Sequence, residues 1–140
     1  MIQRIQTIWL LIASALGFVS LQTSFFSGHR ISDAAKEMVF VNARYNLFLN
    51  VATIAVALIA LIAIFMFKNR KLQLRMTIIA VVLSIGTIAL YFWQKQSFIP
   101  EETSITLTAI IPAAIPVLLI LAARHIWKDE KLVKSVDRLR

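Results

Sequence analysis

Charged and apolar positions are sharply segregated along this chain. No Asp, Glu, Lys or Arg occurs between Arg4 and Arg30, Arg44 and Lys68, Arg75 and Lys95, or Glu102 and Arg124, which leaves uncharged runs of 25, 23, 19 and 21 residues. A helix rises about 1.5 Å per residue, so roughly 20 residues cross the ~30 Å hydrocarbon layer of a bilayer. Val51 to Phe67 reads as apolar on every side, whereas a helix of a water-soluble bundle keeps one polar stripe. The pattern therefore predicts an all-α integral membrane bundle of four transmembrane helices, at about residues 6–26, 46–67, 76–94 and 104–124, forming one domain over residues 1–140. The first run also has the charged start and apolar centre of a secretory leader. Larger residues precede the small ones at Phe18-Val19-Ser20 and Gln22-Thr23-Ser24, a poor cleavage signal, so the segment reads as a retained span.

Composition supports this class without refining it: 59% of the 140 residues are hydrophobic and 16% charged. The distribution of basic residues sets an expected orientation. With four spans, eleven of the fifteen Lys and Arg residues fall on the side that holds both chain ends and the middle loop. Basic residues are retained in the cytoplasm, which predicts N-in and C-in. Trp9, Tyr45, Tyr91, Trp93 and Trp127 sit near predicted span ends, as an aromatic belt does.

The connections differ in character. Ser27 to Arg44 is the longest; Ser32 or Asp33 is placed to cap a short helix, and Val39-Phe40-Val41 is apolar enough to lie on the membrane or the bundle. Lys68 to Arg75 is short, so spans two and three form an antiparallel hairpin. Small residues four apart, Ala13/Gly17, Thr53/Ala57, Ala80/Ser84 and Ala109/Ala113, suit close helix approach. Ser20, Gln22, Thr23, Asn50 and Thr53 are read as hydrogen-bonding glue between helices near one interface, with a polar vestibule as the alternative. Pro112 and Pro116 share one face of the fourth span and predict a helix kink. Glu101 and Glu102, or Thr103 and Ser104, are placed to cap that span.

Candidate chemistry is sparse. There is no cysteine, and the two histidines, His29 and His125, lie on opposite sides of the predicted membrane. No charged residue stands inside a span to couple an ion or proton, and three glycines build no phosphate loop. No catalytic, cofactor-binding or metal-binding residues are expected, and the chain is not read as an enzyme. The candidate contact residues are basic: Arg4, Lys68, Arg70, Lys71, Arg75, Lys128, Lys131, Lys134, Arg138 and Arg140, facing anionic lipid headgroups or a partner. After Trp127 the tail forms a short amphipathic cytoplasmic helix with Leu132, Val136 and Leu139 on one stripe. Its acidic residues Asp129, Glu130 and Asp137 interrupt the basic run, so no nucleic acid is expected as a partner.

Two end motifs add a resemblance. The opening Met1-Ile2-Gln3-Arg4-Ile5-Gln6-Thr7 and the closing Lys128-Asp129-Glu130, Leu132-Val133, Ser135 and Asp137-Arg138-Leu139-Arg140 resemble an uncharacterised family of small four-span bacterial inner-membrane proteins. That resemblance implies a bacterial cytoplasmic membrane location and carries no activity. The resulting expectation is a non-catalytic accessory or scaffold subunit of a larger membrane complex, bound to membrane lipids and to a membrane-protein partner or a second copy. The alternative is lipid handling or small-solute permeation through the kinked fourth span.

Overall fold

The computed structural model describes residues 2–32 and 37–137. Four helices account for most of them: α1 (Ile2–Ser20), α2 (Leu47–Phe65), α3 (Arg70–Lys95) and α4 (Ile110–Asp137). They pack as a closed ring in which each helix lies against the next and α4 returns to α1. Residues 47–65, 70–95 and 107–135 form helices long and apolar enough to cross a membrane, and α1 contributes a shorter apolar stretch, Ile5–Ser20.

The all-α expectation fails at one end of the bundle. Residues 21–26, expected as the last turns of the first span, leave the helix at Ser20, and the chain forms a strand, β1 (Ser24–His29). β1 pairs antiparallel with β2 (Met38–Asn42) on one side and with the two-residue β3 (Ser104–Ile105) on the other. A register shift at Ser24/Phe26 lets adjacent Phe25 and Phe26 both turn inward, so this stretch lacks the alternation that marks a strand. Gly28 is needed where the strands meet: a Cβ there would lie 2.7 Å from Thr103 Oγ1 and 3.1 Å from Thr103 Cα. The expected short helix at Asp33 lies outside the described residues; Ser32 is in a turn.

Two buried clusters follow from this layout. In the bundle, Leu10, Val56, Ile115, Leu119 and Ile126 interdigitate with alanines at 13, 60, 63, 80 and 122. Under the sheet, Phe25, Phe26, Tyr91 and Phe98 form an aromatic layer, with Phe25 stacked on Tyr91 at 4.4 Å and Phe26 edge-on to Phe98 at 5.1 Å. Tyr91 is therefore a core residue and not part of an interfacial belt, because the sheet covers the α3 end that would otherwise meet headgroups.

Three of the four small-residue pairs are buried as expected. Gly17 lets α1 approach α2 so closely that a Cβ would sit 2.9 Å from that of Ala57. The fourth pair fails, since Ala109 belongs to a 3-10 turn (Leu107–Ala109) and Ala113 is exposed. The acidic pair does not cap α4 either: Glu101 and Glu102 form their own 3-10 turn (Pro100–Glu102), and Thr103 and Ser104 enter the sheet region before α4 begins. Pro112 also departs from expectation. It stands in the first turn of α4, just after a 3-10 turn, where a backbone N–H has no i−4 partner to lose, so only Pro116 interrupts the helix interior.

Candidate functional site

The end of the bundle opposite the sheet gathers polar side chains from three helices. Gln6 on α1 is buried, and its amide donates to the His125 carbonyl (3.2 Å) and to Asp129 Oδ2 (3.3 Å) on α4. Arg70, the first residue of α3, meets the same carboxylate oxygen at 3.2 Å and donates to the Asp129 carbonyl at 3.3 Å. One turn along α3, buried Gln73 donates to the Ala63 carbonyl near the end of α2 (2.9 Å), and Thr77 donates to the Gln73 carbonyl. Every helix of the ring thus enters this polar node. Burying a carboxylate is costly unless it is paired, and Asp129 is held by a cation and an amide together.

The node changes the reading of the tail. The segment after Trp127 is not a separate helix: α4 continues through it to Asp137, about 42 Å from Ile110 at the standard rise. Ile126 and Asp129 turn inward, leaving Trp127, Lys128, Lys131, Leu132, Val133 and Ser135 exposed. Lys131 lies 5.9 Å above the Trp127 ring, and Lys134 donates to Glu130 at 2.8 Å. That hydrogen bond, with the Lys134 and Lys71 charges, holds the Glu130 carboxyl below the ordinary glutamate range. Lys128, Lys131, Leu132 and Ser135 border a shallow depression of about 330 Å³ on this exposed surface.

The predicted basic residues therefore divide. Lys68, Lys71, Arg75, Lys128 and Lys131 are exposed, the first three around the α2–α3 turn. Arg70 instead serves the node, and Lys134 is engaged by Glu130. Arg4 falls in α1, but its side chain, like Arg138 and Arg140, lies outside the described residues. The sequence reading missed Gln6, Gln73 and Asp129. The available signal was polar residues flanking apolar runs and an acid within a basic segment.

Two of the residues read as inter-helix glue behave otherwise. Ser20 donates to the Gly17 carbonyl and Thr53 to that of Leu49, each within its own helix. Ser84 and Thr87 do the same, and these four hydroxyls border a cavity of about 10 Å³ inside the bundle, the room one water needs. Inter-helix bonds come from Ser14 to the Ala57 carbonyl (3.0 Å) and Asn46 to Gln94 (3.2 Å), while Thr108 ties the 3-10 turn before α4 to β1 through the Ser24 carbonyl (2.6 Å). At the sheet, His29 Nδ1 lies 3.0 Å from Glu102 Oε2 but too obliquely to hydrogen-bond. Among the described residues, no three His, Asp or Glu side chains are grouped as a metal site requires.

Comparison with curated proteins yields no match, and comparison with solved structures yields none. A family model described as a domain of unknown function (DUF4293) matches residues 2–139. Covering almost the entire chain, that match makes this protein a member of the DUF4293 family.

Proposed function

We propose that this protein is a non-catalytic subunit of a membrane complex, crossing a bacterial cytoplasmic membrane four times with both ends in the cytoplasm and presenting a rigid helix to a partner there. α1 serves as the fourth span, its apolar stretch completed by Leu21 and the buried aromatics of β1. The excess of Lys and Arg on the node side supports the orientation.

The observation that carries the reading is the node at Asp129. It fixes α4 past its apolar part, so a partner meets a helix whose position is already set and the ordering cost of binding falls. The exposed side offers Leu132 and Val133 beside Lys128 and Lys131, an apolar centre with a cationic rim.

The test is a mild-detergent pull-down from native membranes, comparing the intact chain with Lys131→Glu/Leu132→Glu, which leaves Asp129, Gln6 and Arg70 in place. A stoichiometric companion that disappears with the double substitution is expected. Identical companions in both samples, or none in either, reject the docking role.

A further inference from the structure

We infer that the groove between the sheet-proximal halves of α2 and α3 is a binding site for one anionic phospholipid. The groove encloses about 890 Å³ and is lined almost entirely by apolar side chains, near the upper end of the ~300–1,000 Å³ usual for ligand sites. Small residues open it on one side: Ala52 and Ala55 line it from α2, facing Leu83 and Leu90 of α3.

Its length selects the occupant. From Asn46 to Ala55, α2 rises about 13 Å, and from Leu83 to Gln94, α3 rises about 16 Å. Both match one leaflet, about half of the ~30 Å hydrocarbon layer. Past that depth α2 and α3 pack directly, with Ala60, Ala63 and Ala80 buried between them and Gln73 bonded to the Ala63 carbonyl. A helix from a second copy would need a seam through both leaflets; an acyl chain needs one.

The mouth is polar where an acyl chain's ester and phosphate would lie. Asn46 donates to Gln94 Oε1, and among the described residues the Gln94 amide NH2 has no hydrogen-bond acceptor. Arg44 precedes Asn46 by two positions, and Lys95 follows Gln94. Neither forms an ion pair among the described residues. Two cations within two residues of the mouth favour an anionic headgroup over a zwitterionic one. Trp93, 69% exposed, forms part of the groove wall and supplies a reporter.

The full chain carrying Trp9→Phe and Trp127→Phe, which leaves Trp93 as its single tryptophan, is reconstituted in phosphatidylcholine vesicles. A minor fraction of the lipid is either acyl-brominated phosphatidylglycerol or acyl-brominated phosphatidylcholine. Trp93 quenching is expected to show up to about a thirtyfold preference for the anionic lipid, the size that two interfacial cations supply. Ala52→Leu, or independently Ala55→Leu, fills the groove and abolishes the preference, and Arg44→Gln/Lys95→Gln makes the two lipids equivalent. Circular dichroism of each variant confirms the fold. Equal quenching by both lipids in the unfilled chain overturns the site, as does a preference that survives groove filling. A preference that survives loss of both cations overturns the headgroup assignment. Cysteine cross-linking between copies at position 52, with no quenching by either lipid, replaces the lipid with a second copy.

Discussion

Gly17 and Gly86 both lie in apolar helices, yet replacing each by alanine is expected to move stability in opposite directions. At Gly17 the new methyl lies 2.9 Å from Ala57 Cβ and 3.3 Å from Ala57 Cα. Carbon contacts favour ~3.5–4.0 Å, so α1 must retreat from α2 by roughly 0.6–1 Å. Neither partner is a flexible side chain that can yield. The same retreat stretches the 3.0 Å bond from Ser14 to the Ala57 carbonyl beyond useful length. Overpacking costs about 1–3 kcal/mol, and a lost inter-helix hydrogen bond in a membrane about 0.6 kcal/mol. The better helix propensity of alanine returns about 0.5–1 kcal/mol. The net expectation for Gly17→Ala is a loss of about 2 kcal/mol. At Gly86 nothing lies within 4 Å, leaving only the propensity gain of about 0.5–1 kcal/mol. Reversible unfolding in mixed detergent–SDS micelles, followed by helical circular dichroism, measures both. A neutral or stabilising Gly17→Ala would refute the close α1–α2 approach.

Three further outcomes follow from the contacts. Asp129→Ala leaves Arg70 and Gln6 without their shared acceptor and should cost about 1.5–3 kcal/mol, with faster tryptic cleavage after Arg124 and Lys128; unchanged proteolysis would remove the node's role in fixing the tail. Because Glu130 titrates below its ordinary range, its bond to Lys134 contributes fully above the unfolded-state pKa and is lost as pH falls through the lowered value. Amide exchange at residues 131–135 should accelerate in that acid window, and Lys134→Gln should abolish the pH dependence. Tyr91→Phe removes a buried hydroxyl that has no partner among the described residues. It should be neutral or stabilise by about 1 kcal/mol, whereas Tyr91→Ala empties the stack on Phe25 and should cost about 3–5 kcal/mol in the same unfolding assay.

Hydropathy located the helices well because an uncharged run of about twenty residues has few other uses. It erred where apolar character and conformation part company. Residues 21–26 are uncharged and read as the end of the first span, but the bulge that buries Phe25 beside Phe26 hides the period-two signature of β1. β3 has only two residues, and its pairing with β1 is a tertiary contact that no local pattern carries. The use of Gly28, close approach to Thr103, needs the partner strand to be seen. The node was hidden for a related reason. Asp129 in a basic tail resembles a solvated charge until α1 and α3 bring Gln6 and Arg70 to it.

The middle position of β1 in its sheet imposes an order on biogenesis. Ser27 is made 77 residues before Ser104, its cross-strand neighbour on β3. At ~5–20 residues per second, the ribosome needs about 4–15 s to supply that second edge. β2 follows β1 directly and pairs early, but Phe98, which closes over Phe26, arrives only after α3 is complete. During that interval Phe26 lacks its edge-on cover, and a chain stalled or truncated before residue 98 keeps it so. A membrane quality-control protease would thus meet an uncovered Phe26 on chains whose synthesis stopped before Phe98.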